Sequence, residues 1–459
     1  MFALHPLTVF RRVPAVMLAL ALAATVLGGE TAFAQGGFGF GGQAVGGISV
    51  DTNGIIRNLD PHAVESLAAE RTKALANANW TGKAGAARKV SLKAVAAAVT
   101  EAVTKGTPLP AEVEFLGGLQ RIEHVFVDPD GHDIVLSGPA DALAVDAAGA
   151  IVGATTRRPP LHLEDLVVCL RAIDAARAGG MTCSIDPTPE GITRLQAVLR
   201  RQGTMGPDPQ ATFTAMEQAM GPQKVTVGGI PADSRFARVL VAADYRMKRI
   251  GMGLEPSGLD KLPSYLQMVP AGGRATALPR FWLEADYDPI ARDADELAWK
   301  IGGRRMQCLT ESDLATKGGM NRGAAGADAV ARTWCDAMTA NYDSLAAKQP
   351  IFAELTNCID LAVVAALIEG RQLDERAGCD LTPLTSPAQL QLPKYDVPTA
   401  VPTVATGIKK GNAWVVSASG GVKFQPWLFA TATVESADVG MSRSRALASR
   451  PEIAACSWE

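Results

Sequence analysis

Apolar residues in the segment FARVLVAADYRMKRIG recur at steps of three and four: Phe236, Val239, Leu240, Ala243, Met247 and Ile250. At 3.6 residues per turn these positions form one stripe, so the spacing predicts an amphipathic helix. Asp233 precedes it as the N-cap, and Gly251 or Gly253 supplies the left-handed stop. Asp244 and Lys248 then form an acid-before-base pair four residues apart on the wet face, worth about 0.2–0.5 kcal/mol when exposed. Tyr245, Arg246 and Arg249 need no partner inside such a helix. They are a candidate anion-binding or interface patch.

The period changes to two in FWLEADYDP. A strand places Phe281, Leu283, Ala285 and Tyr287 on one face, and Trp282, Glu284, Asp286 and Asp288 on the other. Alternate carboxylates stand about 6.5–7 Å apart along a strand. Such acids repel and raise one another's pKa, as acid–base chemistry requires, which makes Glu284, Asp286 and Asp288 candidate catalytic groups. On an edge strand the same row is a solvated face that discourages aggregation.

Other elements follow from turn and cap signals. ISVDTNGII predicts two short strands about an Asn-Gly turn, and Asp60-Pro61 opens a helix toward Asn79. A second helix runs from Ser91 to the residue before Gly106. RIEHVFVDPDGHDIVLSG and ALAVDAAGAIVGAT each predict a hairpin, and TRRPP marks a boundary at Pro160. HLEDLVVCLRAI carries acids in its first turn, where the helix dipole favours them. The strand MTCSID, two helices and the strand QKVTVGG precede the 236–250 helix. Further on, PRFWLEADY and ELAWKIGGRRMQCL read as paired strands. Helices are expected over 328–347 and 351–369, the second around the apolar run Leu361–Ile368. After a proline-rich stretch, NAWVVSASGGVKFQPW predicts a hairpin across Gly420-Gly421. The fold expected is α+β, with two or three domains and mixed or antiparallel sheets carrying helices on one face. The expected regions are 48–160, with its two hairpins, a central domain at 161–275, and 276–459 with its helix pair.

The first 34 residues change this picture. Arg11 and Arg12 precede the apolar run Val13–Leu27 and then Ala32-Phe33-Ala34, the order of an export peptide cleaved after Ala34. Fifteen apolar residues are short for a bilayer span, which needs about 20; an uncleaved anchor is the alternative. A glycine-rich linker occupies 35–47. Cleavage would take the net charge from −3 to −4 by removing Arg11, Arg12 and Glu30. That balance speaks against a nucleic-acid partner. The mature chain is expected to have no transmembrane span, and to meet an envelope or extracellular protein or polymer at the periplasm, the cell surface or outside the cell. Seven cysteines remain, none in C-x-x-C spacing, and Cys169 with Cys183 is the pair that a helix and short strand would bring together.

Candidate chemistry is sparse. Beyond the export segment the histidines are His62, His124, His132 and His162. There is no H-E-x-x-H, G-x-S-x-G or G-x-x-x-x-G-K-[ST] pattern, and no cofactor is expected. In DPDGHD, Asp128, Asp130 and His132, with Asp133, offer the clustered ligands that a hard cation takes, although Asp-Pro-Asp-Gly is also what a tight turn needs.

The stretches VLVAADYRMKRIGMG, LPSYLQMV, RRMQCLTE, NCIDLAVVAALI and VVSASGGVKFQPW resemble an uncharacterised exported bacterial family known only as a domain of unknown function. The resemblance spreads over about residues 90–430. It implies an envelope or secreted protein and carries no catalytic residues. The function expected is a non-enzymatic exported binding or structural protein; the alternative is a secreted hydrolase using Glu284, Asp286 and Asp288, with a saccharide as one possible substrate.

Overall fold

The helix starts expected at Asp60 and Ser91 are formed. Asp60 accepts from the His62 amide at 2.9 Å and starts the helix Pro61–Asn77. Ser91 caps Leu92–Lys105, which ends at Gly106 in the left-handed region. The hairpins Ile48–Val50/Ile56–Asn58, His124–Asp128/Asp133–Ala140 and Leu143–Val145/Ile151–Gly153 are all antiparallel. The structure, a computed structural model, describes residues 38, 44–78, 80, 82–201, 209–270, 278–310, 314–316, 319–321, 329–408, 413–451 and 456–459. The export segment and the start of the 328–347 helix at Asp328 lie outside these.

Two large mixed sheets give an α+β fold. The six-stranded sheet runs Arg305–Thr310, Arg280–Asp286, Ser419–Phe424, Met181–Asp186, Gln223–Gly228, Ala400–Val401. The seven-stranded sheet runs Thr433–Glu435, Ile290–Arg292, Ala298–Lys300, His124–Asp128, Asp133–Ala140, Gly85–Ser91, Ser457–Trp458. Each takes strands from distant parts of the chain, and one apolar cluster extends from Val45 to Ala430 across the expected boundaries at 160 and 275. The strand Met181–Asp186 alternates buried Met181, Cys183 and Ile185 with half-buried Thr182, Ser184 and Asp186, as a one-sided sheet requires.

The hairpin expected across Gly420-Gly421 is not formed. Both glycines lie inside a central strand, parallel to Arg280–Asp286 and antiparallel to Met181–Asp186. A Cβ on Gly420 would stand 2.0 Å from the Phe281 carbonyl oxygen, and one on Gly421 would stand 1.9 Å from that of Cys183. The glycine pair serves close backbone approach rather than a turn.

The helix Arg235–Gly251 has no wet face. Its cap is Ser234, not Asp233; the Ser234 hydroxyl accepts from the Ala237 amide at 3.1 Å. Gly253, at φ +74°, follows its end. Asp244 and Lys248 are buried, and the Lys248 ammonium donates to Asp244 Oδ2 at 2.9 Å and to the carbonyls of Ile185 and Gly420 at 2.8 and 3.0 Å. The apolar stripe does exist, but charged residues on the opposite side are covered by the sheet, because they pair with one another and with backbone carbonyls.

Behind it lies Pro350–Arg371, packed by Leu163–Ala172, Arg235–Gly251, Tyr342–Lys348 and Pro426–Thr431. It is long and apolar enough to cross a membrane by length and composition, yet its apolar window is wholly buried in the fold. Its deepest charge, Asp360, accepts from Arg305 Nη1 and Tyr287 Oη at 2.6 Å each and from the Ile122 amide at 3.1 Å. The Cys169–Cys183 bridge is also not formed: both thiols are free and buried, because Cys183 faces Asp244 while Cys169 lies beside Cys358. The thiols in contact are Cys308 and Cys335, 3.3 Å apart.

Candidate functional site

Three helices begin at one place. Leu163–Ala172, Arg235–Gly251 and Pro350–Arg371 direct their first turns toward a cavity of about 390 Å³. Helix starts carry unpaired N–H groups and partial positive charge. Further parts of the wall come from Leu67 and Arg71 of the Pro61–Asn77 helix, the Asp146–Ile151 turn, the Val45–Gly47 segment, Glu255 and Tyr395. Gly46 and Gly47 both have positive φ, and a Cβ on Gly46 would stand 2.7 Å from Ile351 Cδ1. Only glycine lets this segment lie against the Pro350–Arg371 helix.

The polar part of the wall is a buried network. The Arg235 guanidinium forks, one nitrogen donating to Asp165 and the other to Glu354. Tyr395 Oη donates to Glu164 Oε2 at 3.2 Å, while Glu164 Oε1 has no hydrogen-bond partner. Arg71 Nη1 donates to the Gly149 carbonyl at 2.8 Å; its Nε has no partner, and no carboxylate stands within ion-pairing distance among the described residues. His162 packs edge-on against Phe115, with ring centroids 5.1 Å apart.

Burial sets the protonation states. Burial, with Asp165 adjacent, pushes the Glu164 carboxyl up to about 8, so it holds its proton at neutral pH. Burial, with Arg235 and Arg71 nearby, keeps His162 well below the ordinary imidazole range and therefore neutral. Burial also opposes charge on Arg235, but Asp165 and Glu354 outweigh it and hold the guanidinium charged. Burial lowers Arg71, yet an arginine stays charged near neutrality.

The residues singled out in the sequence fall in several places. Arg246 lies on the cavity wall, donating to the Gly47 carbonyl at 2.9 Å, to Asn58 Oδ1 at 3.1 Å and to Glu255. Arg249 Nε also donates to Glu255, at 2.6 Å, and both guanidinia lie over the Tyr245 ring. These three residues do cluster, but around Glu255 and largely buried rather than on a wet face. Glu284, Asp286 and Asp288 do not line the cavity. The strand holding Glu284 and Asp286 is internal to the sheet, not an edge, and ends at Asp286, leaving Asp288 exposed beyond it; Glu284 pairs in register with Lys423, and Asp286 meets Arg304 at 3.5 Å. Asp128 and Asp133 are bridged by the Arg450 guanidinium at 2.7 and 2.6 Å, so the cation in DPDGHD is a side chain; Asp130 is exposed and His132 takes φ +51° in the turn. Among the described residues no three His, Cys, Asp or Glu side chains converge to hold a metal.

Arg71, His162, Glu164, Arg235, Glu354 and Tyr395 were not singled out as a site. Glu164 and Asp165 fitted a solvated first turn equally well, and nothing in local spacing joins residue 71 to residue 395. The one available signal was the scarcity of histidine.

Residues 183–265 match the family model described as a protein of unknown function (DUF1598). No curated protein and no solved structure matches the chain. The DUF1598 segment includes the Arg235–Gly251 helix and gives the cavity Arg235, Arg246, Glu255 and Pro256. Arg71, His162, Glu164, Glu354 and Tyr395 all come from outside it, so the site joins the DUF1598 segment to the rest of the chain.

Proposed function

We propose that the protein is an exported small-molecule-binding module and that this cavity is its ligand site. One observation carries the reading: a cavity of about 390 Å³ has on its wall a buried carboxyl with an unpartnered oxygen. That size falls within the roughly 300–1,000 Å³ of small-molecule sites, which combine apolar walls with a few convergent polar groups. Buried polar atoms are normally hydrogen-bonded, and an orphan asks for a partner that the protein does not supply. Export rests on Arg11, Arg12 and the Ala32-Phe33-Ala34 signal. Thermal-shift screening of a metabolite library against the wild type and an Ala150→Trp variant, which fills the cavity, tests the reading. Saturable stabilisation of the wild type alone supports it; no saturable binder, or binders indifferent to the filled cavity, overturns it.

A further inference from the structure

We infer that the ligand carries a carboxylate, which pairs with Arg71 while its apolar body lies along Leu67, Ile151 and Ile351. This rests on the cavity being a ligand site.

Arg235 already has two carboxylates, Asp165 and Glu354, and Arg246 has Glu255. Arg71 has one backbone carbonyl, an unpartnered Nε and no ion pair among the described residues. A mostly buried guanidinium without a counter-charge is costly, and a carboxylate matches its planar fork. Arg71 and Glu164 share Arg235, Tyr395 and Glu114 as electrostatic neighbours, so both stand at the same end of the cavity.

Glu164 supplies a second donor. Tyr395 donates to its Oε2, so a protonated Glu164 keeps its own hydrogen for an acceptor. Arg71 and the protonated Glu164 thus put two donor side chains at this end of the wall, which suits a carboxylate paired with the Arg71 guanidinium. The neighbouring acids Glu114, Asp165 and Glu354 disfavour a dianion, which selects a carboxylate over a phosphate monoester. Leu67 lies one helical turn before Arg71 on the same face, so the apolar wall adjoins the guanidinium.

The test uses matched probes on the full mature chain: hexanoate and phenylacetate, their primary amides, the corresponding amines, and phenyl phosphate. Calorimetry and thermal shift are expected to show the acids binding about 10-fold or more tighter than the amides, with phenyl phosphate weaker and the amines absent. Arg71→Gln should erase the preference for the acids, and Arg71→Lys should keep part of it. Should Arg71→Gln not fold, the wild-type pH profile decides. The groups facing Glu164 are Asp165, Arg235, Glu114 and Tyr395, with Glu354, His162 and Arg71 around the same end. Ionisation of Glu164 as pH passes about 8 removes a donor and adds a negative charge, so acid affinity should fall there while amide affinity changes less. Amides or amines binding as tightly as acids, acid affinity unchanged in Arg71→Gln, or a flat pH profile overturns the inference and leaves the binding reading standing. No binding by any probe, with an empty library screen, overturns the binding reading itself.

Discussion

Replacing Lys248 by Met separates two pictures of the Arg235–Gly251 helix. On an exposed face, loss of the Asp244–Lys248 pair costs about 0.2–0.5 kcal/mol. In the structure both residues are buried, the ammonium makes three hydrogen bonds at 2.8–3.0 Å, and Asp244 Oδ1 already has no partner. Removing the cation leaves a buried carboxylate alone, which costs about 3–5 kcal/mol. The pH dependence follows from Asp244, which burial pushes from 3.8 up to about 7 even with Lys248 present. The native state thus binds a proton that the unfolded chain releases, and stability from this group falls as pH rises from about 4 toward 7. Without Lys248 the acid escapes by keeping its proton, so the deficit should be smaller at pH 5 than at pH 8. Guanidinium denaturation of the wild type, Lys248→Met and Asp244→Leu/Lys248→Met at both pH values measures this. The double variant should recover most of the loss, since apolar groups of similar volume replace buried pairs well. A single-variant loss below about 0.5 kcal/mol at pH 8 would refute burial of the pair and restore the wet face.

Glu164→Gln should match the wild type near pH 5, because glutamine mimics the protonated acid. The folded carboxyl at about 8 lies above its ordinary 4.5, so wild-type stability declines as pH rises through that window; the difference of 3.5 at about 1.4 kcal/mol per pH unit reaches about 5 kcal/mol in the variant's favour by pH 9. Equal pH profiles in urea melts would contradict the proton on Glu164. Asp360→Asn strips the buried Arg305 of its counter-charge and should cost about 3–5 kcal/mol in chemical denaturation; a loss under about 1 kcal/mol would mean that Arg305 is solvated. Treatment of the folded protein with oxidised glutathione should join Cys308 to Cys335, lowering the thiols labelled after denaturation from seven to five. Retention of seven would show the pair to be out of reach of the oxidant.

Local signals in the sequence located the helix starts at Asp60 and Ser91, the hairpins up to residue 153 and the buried 361–368 run, because each is decided by neighbours within a few residues. What was misread depends on distant partners. Nothing around Asp244 and Lys248 reveals that Ile185 and Gly420 offer carbonyls to the ammonium, and Gly420-Gly421 is a turn signal until two flanking strands crowd it. The cavity shows the same limit. Arg71, Glu164, Arg235 and Glu354 each fit an ordinary helix position, and only the packing of three helix starts against the Pro61–Asn77 helix makes them one site.

The strand order also governs when this protein is able to fold. His124–Asp128 needs Ala298–Lys300 on its open side, and Met181–Asp186 needs Ser419–Phe424. In a chain emerging N-terminus first, both early strands wait with a bare edge while more than a hundred residues follow. Closing such long loops is slow, and bare edges recruit other chains. Delay between the two halves, rather than weakness of the finished core, is where this molecule is exposed to aggregation, and a holding chaperone should matter most before residue 419 has emerged.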